Sequence, residues 1–107
     1  MTEKATVKSG NKVLKALKGL SGYSLKGVKL NELAKKLNET PPQLCKQLQT
    51  LIEEGLATQM DDGTYALGRE LVAIAHAHSD EINRAQNHIL EHVQRVSARA
   101  NQIKSGS

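Results

Sequence analysis

A glutamine, a lysine and a threonine, Gln43, Lys46 and Thr50, recur at helical spacing, with Gln47 between them. On an α-helix these positions gather Gln43, Lys46 and Thr50 on one face, with Pro42, Gln47 and Gln49 at its edges. An amide can bond adenine in a bidentate way, and an ammonium can bond guanine N7 and O6 or a phosphate. The chemistry on offer is recognition of a nucleic acid. Further lysines, Lys12, Lys15, Lys18, Lys35 and Lys36, suit phosphate contacts, which set affinity and register but carry no base information. The competing reading is a solvated polar face with lysines that only keep the protein in solution.

Catalytic and metal chemistry find little support. Cys45 is the only cysteine, so no internal disulfide can form, and a position inside a predicted helix suggests a reduced thiol tucked beside the core. No histidine lies near it in sequence, and no Gly-rich phosphate loop exists. His88 and His92 are four apart and share a helix face, and His76 and His78 precede Asp80, but no ligand set has zinc-finger spacing. Surface or interface histidines are expected, with no metal, no other cofactor and no enzyme activity.

The elements that must hold these residues are legible from periodicity. Leu30, Leu33, Ala34 and Leu37 mark one face of a helix, and Leu44, Leu48, Leu51 and Ile52 mark one face of another. Asn38 between them can take the left-handed conformation that ends a helix. Thr40 can cap the next helix, with Gln43 reaching back as in a capping box, and Pro41 suits the first helical position. Two short helices at a tight turn make a helix-turn-helix, whose second helix, residues 41–54, is expected in the DNA major groove.

Upstream, residues 11–20 are predicted helical, with Val13, Leu14, Leu17 and Leu20 as the apolar stripe, and Gly27-Val28-Lys29 can add a short strand. Downstream, Gly55 is a helix stop, and Asp61-Asp62-Gly63 lies between two short extended segments, a strong hairpin signal. A hairpin directly after a helix-turn-helix is the wing of a winged helix. From Arg69 to Ile103 the chain is helical in pattern and lacks proline, with a soft point at His78-Ser79-Asp80, so it is either one helix or two broken near Ser79.

The chain has 107 residues, no Phe or Trp and only Tyr23 and Tyr65, so one domain with an aliphatic core is expected. Residues 1–54 carry ten lysines against five acids, whereas residues 55–107 carry five bases against six acids. A basic half bearing a helix-turn-helix suggests a polyanionic partner. No apolar run is long enough to span a membrane and no signal-peptide core is present, so a cytoplasmic, nucleoid-associated protein is expected.

From Val13 to about Ile74 the sequence resembles the DNA-binding domain of the IclR family of bacterial transcription regulators. Leu30-Asn31-Glu32-Leu33-Ala34 is similar to the opening of that family's helix-turn-helix. Leu48-Gln49-Thr50-Leu51, then Glu53-Glu54-Gly55, resembles the end of its recognition helix. Asp62-Gly63-Thr64-Tyr65-Ala66-Leu67-Gly68 is similar to its wing. The resemblance implies a winged-helix fold and a DNA partner. Three departures accompany it: Thr64 and Ala66 stand where the family often has basic residues beside the tyrosine, the recognition helix opens with Pro41-Pro42, and no effector-binding domain is expected in a chain this short.

The expected fold is thus mainly α with a small β-hairpin: a flexible tail over residues 1–10, a winged helix-turn-helix over 11–68, a C-terminal helical dimerisation segment over 69–103, and a second tail over 104–107. Ile82, Ile89, Val96 and Ile103 recur every seven residues, with Val93 beside them. The intervening seam residues Ala85, His92 and Arg99 are poor, so an amphipathic helix contact is expected in place of a long zipper. Packing of that stripe on its own domain is the alternative. The expected function is sequence-specific duplex DNA binding by a homodimeric transcription regulator. A winged-helix adaptor that docks proteins through its C-terminal helix is the runner-up.

Overall fold

The computed structural model describes residues 5–106. They form α1 (Lys8–Gly19), α2 (Leu30–Leu37), α3 (Pro41–Glu53), β1 (Ala57–Gln59), β2 (Tyr65–Leu67) and α4 (Arg69–Gly106). The chain divides into two compact units, residues up to Ala73 and residues from Ile74 onward.

The first unit is a winged helix-turn-helix. Helices α1, α2 and α3 meet on Leu20, Leu33, Leu44 and Leu48, all at 0% exposure, and Val28 and Leu51 close the core beside them. The two periodic stripes of the helix-turn-helix therefore point inward as spaced. The stripe of α1 differs: Ala16 is fully buried and Leu14 is 53% exposed, because the inward positions are Val13, Ala16, Leu17 and Leu20. A small alanine at the helix crossing lets α1 approach its neighbours closely.

Helix ends follow local chemistry. Asn38 sits at φ 54°, and the next N–H, of Glu39, reaches back to the Ala34 carbonyl at 2.9 Å. Gly55 at φ 74° ends α3 in the same way, with the Leu56 N–H on the Leu51 carbonyl at 2.9 Å. Both are Schellman-type ends, in which a left-handed residue turns backbone donors onto the last free carbonyls. The capping box expected at Thr40 is absent: Thr40 makes no side-chain cap bond. Pro42 removes one of the two donors that a cap at Thr40 would serve, and the Glu39 carboxylate takes the Thr40 N–H at 3.3 Å.

The wing is an antiparallel pair in which Ala57 faces Leu67, Thr58 faces Ala66 and Gln59 faces Tyr65. Gly63, at φ 85°, donates its N–H to the Met60 carbonyl at 2.9 Å, and the Met60 N–H closes on Thr64 at 2.7 Å, so the Asp-Asp-Gly loop is a tight turn with a left-handed glycine. The strand expected at residues 27–29 is a single bridge: Val28 exchanges both backbone bonds with Tyr65, at 2.8 and 2.9 Å. Gly68 then leads into α4 with almost no room to spare. A Cβ there would run into the Gly55 carbonyl and lie 2.7 Å from the Ala57 nitrogen.

The second unit is helical throughout its described residues. Helix α4 runs unbroken through His78-Ser79-Asp80 and on to Gly106, past the expected end at Ile103. Helix α1 likewise starts at Lys8, within the expected tail, with Val7 ahead of it in extended conformation. The remainder of the expected tails, Met1–Lys4 and Ser107, lies outside the described residues.

Two glycine replacements separate crowding from conformation. Gly68→Ala forces backbone apart and should cost about 2–3 kcal/mol or more, as overpacking does. Gly63→Ala meets nothing within 4 Å and carries only the left-handed φ, so it should cost about 1 kcal/mol. Urea unfolding of both variants checks the order, and equal costs would contradict it.

Candidate nucleic-acid interface

The outer surface of α3 and the flank of α1 form one solvent-open cleft of about 350 Å³, lined by Lys8, Ser9, Lys12, Gln43, Lys46 and Thr50 among others. Gln43, Lys46 and Thr50 are exposed, and the Thr50 hydroxyl donates to the Lys46 carbonyl at 3.1 Å, which leaves its oxygen free to accept. Lys12 shares the cleft with Lys46. Lys15 borders an adjoining hollow with Lys12 and Glu39, and Lys35 borders another with Pro41, at the start of α3. No acidic residue stands in the first turn of α3. The carboxylate nearest that helix end is Glu39, which takes the Thr40 N–H just ahead of it.

Two expected contacts are reassigned. Gln47 is 9% exposed, and its amide donates to the Glu39 carboxylate at 3.3 Å. Its spacing from Leu44 and Leu51 puts it on the inner edge of α3, where a polar tip needs a partner. Lys36 is exposed but its ammonium donates to the Tyr23 hydroxyl at 3.0 Å and lies 5.3 Å from the ring centroid. That hydrogen bond holds the Lys36 pKa above its ordinary value. With Gln47 inside, the outward face of α3 centres on Pro42, Lys46 and Gln49, followed by Glu53. Gln49 is the residue that spacing had put at the edge; the inward pull of Gln47 was the signal. Lys18 lies with Leu14 and Lys15, away from the α3 cleft.

Glu39 ties this surface together. Its carboxylate takes the Gln47 amide and the Thr40 N–H, and it lies 3.9 Å from the Lys12 ammonium. The Gln47 bond is the largest cause of a pKa held below the ordinary carboxylate value, with the Thr40 N–H next. Cys45, expected beside the core, is exposed instead. It faces the wing, where its thiol is the hydrogen-bond neighbour of the Tyr65 phenol. Burial first, and Cys45 second, push that phenol up.

At the wing tip the two aspartates differ. Asp62 accepts from the Thr64 hydroxyl at 2.6 Å and from the Thr64 N–H at 3.0 Å, so it holds the turn. The Thr64 hydroxyl is also the largest cause of its lowered pKa. Asp61 is exposed, with no such bond among those of the described residues. Among the described residues no cluster of His, Cys, Asp or Glu has metal-site geometry. No described helix is long and apolar enough to cross a membrane.

A three-helix core with an antiparallel wing behind the second helix of a helix-turn-helix defines the winged-helix fold. Within that fold, the domain resembles those of IclR-type regulators. It is similar to HmgR of Pseudomonas aeruginosa, at 28% identity and TM-score 0.64 over 72% of this chain and 33% of that one. It is also similar to an IclR transcriptional regulator from Alicyclobacillus acidocaldarius, at 25% identity and TM-score 0.60 over 71% of this chain and 31% of that one. The chain thus spans about a third of the length of these two proteins. A MepR variant of S. aureus bound to an oligodeoxyribonucleotide shares the fold, at 18% identity and TM-score 0.53 over 90% of this chain and 78% of that one. No protein-family model and no curated protein matches the sequence.

The two bonded carboxylates carry a pH signature. Both have folded pKa values below the unfolded ones, so their bonds stabilise fully above pH ~4.5 and are lost as pH falls through the lowered values. Thermal melts should therefore hold steady from neutrality to about pH 5 and fall below about pH 4. A Glu39→Gln/Asp62→Asn variant does not titrate at either position. Gln keeps only one of the two Glu39 acceptors, while Asn keeps the Oδ1 that takes both Thr64 bonds. The acid limb of this variant should be shallower. An unchanged limb would remove these two groups as the cause.

Proposed function

We propose that the protein binds duplex DNA as a transcription regulator, with α3 in the major groove. The observation that carries this is the shared cleft of α1 and α3. It sets Lys12 and Lys46 beside Gln43 and Thr50 on an outward face that is free of acids until Glu53. Gln43 and Gln49 suit base edges, Lys46 suits a base or a phosphate, and Lys12, Lys15 and Lys35 suit the flanking backbone. Lys36, already held by Tyr23, contributes less. The kinship with IclR-type regulators supports the same reading.

The protein acts as a homodimer through Ile82, Ile89, Val93, Val96 and Ile103 of α4. A two-fold axis presents two recognition helices to one duplex, so the site is a palindrome with half-sites about one helical turn, or a multiple, apart. The rival adaptor reading draws on the same exposed stripe and on the acidic wing, and a gel shift with random duplex in moderate salt separates the two. Its working compartment is the cytoplasm, on the nucleoid.

Lys46→Ala should weaken DNA binding. If Lys46 meets a phosphate, the slope of log affinity against log salt should flatten by about 1; if it reads a base, the loss should be about 1–3 kcal/mol at one position of the site. Unchanged affinity in a folded Gln43→Ala/Lys46→Ala/Thr50→Ala protein would sink the assignment of α3.

Asp61→Asn should raise affinity for random duplex, because it removes a negative charge at the wing tip and disturbs no bond that holds the turn. A loss of binding would show Asp61 accepting from a base amino group.

A further inference from the structure

Helix α4 has no buried residue, and its large apolar side chains stand in water: Ile82 is 45% exposed, Ile89 63%, Leu90 55%, Val93 51%, Val96 54% and Ile103 58%. Ile82, Ile89, Val96 and Ile103 are spaced by seven, and the residues four beyond each of the first three are Gln86, Val93 and Ala100. Together they alternate by four and three, the spacing of a helix-pairing seam. This seam is better than the one through Ala85, His92 and Arg99, since only Gln86 interrupts it. A stripe of this kind needs a covering surface.

Charge along the same helix says which surface fits. From residue 74 to residue 90 the formal charges are Asp80, Glu81 and Arg84, a net of −1; from residue 91 to residue 106 they are Glu91, Arg95, Arg99 and Lys104, a net of +2. The exposed pairs within the helix, His76 with Asp80 and Arg95 with Glu91, each at 3.7 Å, are the weak surface kind and leave this polarity in place.

Resting on the homodimer reading above, we infer that α4 packs antiparallel on α4 of a second copy, with the two-fold axis at the level of Glu91. In that register Ile89 meets the partner's Val93, Ile82 meets the partner's Ala100, and Gln86 meets the partner's Val96, so every seam residue but Ile103, which falls level with Ser79 of the partner subunit, meets another. Leu90 and His92 lie one residue to either side of the axis, each about 3 Å along it from its own copy. Glu81 comes within two residues of the level of the partner's Arg99, and Asp80 within two of that of the partner's Lys104, offsets of about 3 Å along the axis that long side chains span. A parallel pair in the same seam would set Arg99 against the partner's Lys104 and each acid near its own copy, which is repulsive at both ends.

Disulfide trapping in the full chain reads the orientation, in a Cys45→Ser background because Cys45 is an exposed thiol. On mild oxidation Leu90→Cys should link to its own copy. Ile82→Cys and Ile103→Cys alone should not, whereas Ile82→Cys mixed with Ala100→Cys should link. Self-linking at residues 82 and 103 as fast as at residue 90 would overturn the inference in favour of a parallel pair. A dimer by sedimentation equilibrium that links at none of these positions would also overturn it, and would leave the dimer reading standing with its interface elsewhere. A monomer at tens of micromolar would end both. As a second measurement, Glu81→Arg should lower the association constant by on the order of tenfold, since the axis doubles an exposed pair. Glu81→Arg/Arg99→Glu should recover most of that loss, and no recovery counts against the register.

Discussion

The return of the chain over the end of α3 is the constraint on which the winged unit depends. Gly55 ends α3 in a left-handed turn, and Gly68 brings the backbone leaving the wing against the Gly55 carbonyl with no space for a side chain. Around that contact the Gly68 N–H bonds the Leu56 carbonyl at 2.9 Å and the Glu70 N–H bonds the Gly55 carbonyl at 3.1 Å. Both ends of the hairpin are thereby pinned beside the last turn of α3. The wing then has one position open to it, and Tyr65 fills that position with its backbone on Val28 and its ring in the core.

The same economy of partners shapes the binding surface. A buried Gln47 needs a polar partner, and Glu39 supplies it from the turn between α2 and α3. Because Glu39 also takes the Thr40 N–H, one carboxylate joins the turn, the start of α3 and, through Lys12, the flank of α1. What remains pointing outward from α3 is neutral or basic through Gln49. Among the described acids of residues 5–54, Glu39 is bonded into the turn before α3, Glu53 and Glu54 come at the end of α3, and Glu32 lies on α2. The surface that results is one-sided in charge without a large net charge on the whole chain.

The wing departs from that pattern. Its tip carries Asp61 and Asp62 and no base, yet Asp62 is bound into the turn through Thr64 and is not a free surface charge. Asp62 keeps its charge, which its lowered pKa favours, but that charge is fixed in the turn, whereas Asp61 is exposed with no such bond among the described residues. Lys36 shows the converse case, a surface cation whose partner is a tyrosine of its own chain.

Periodicity and turn chemistry alone determined the helix-turn-helix, the left-handed Asn38, the hairpin at Asp62-Gly63 and the inward faces of α2 and α3. These depend on spacing and on the φ that a residue tolerates, and both are local properties. Spacing also put Gln43, Lys46 and Thr50 on the exposed side of α3. Only the tertiary structure decided the rest. It buried Gln47 and moved Gln49 outward, exposed Cys45 toward the wing, turned Ala16 inward in place of Leu14, and gave Lys36 to Tyr23 and Asp62 to Thr64. Each of these depends on which neighbour a side chain meets across the fold, and residues such as Gln47 and Glu39, or Lys36 and Tyr23, meet only after the helices have packed. The unbroken course of α4 through Ser79 belongs with them, since helical pattern there allowed either one helix or two.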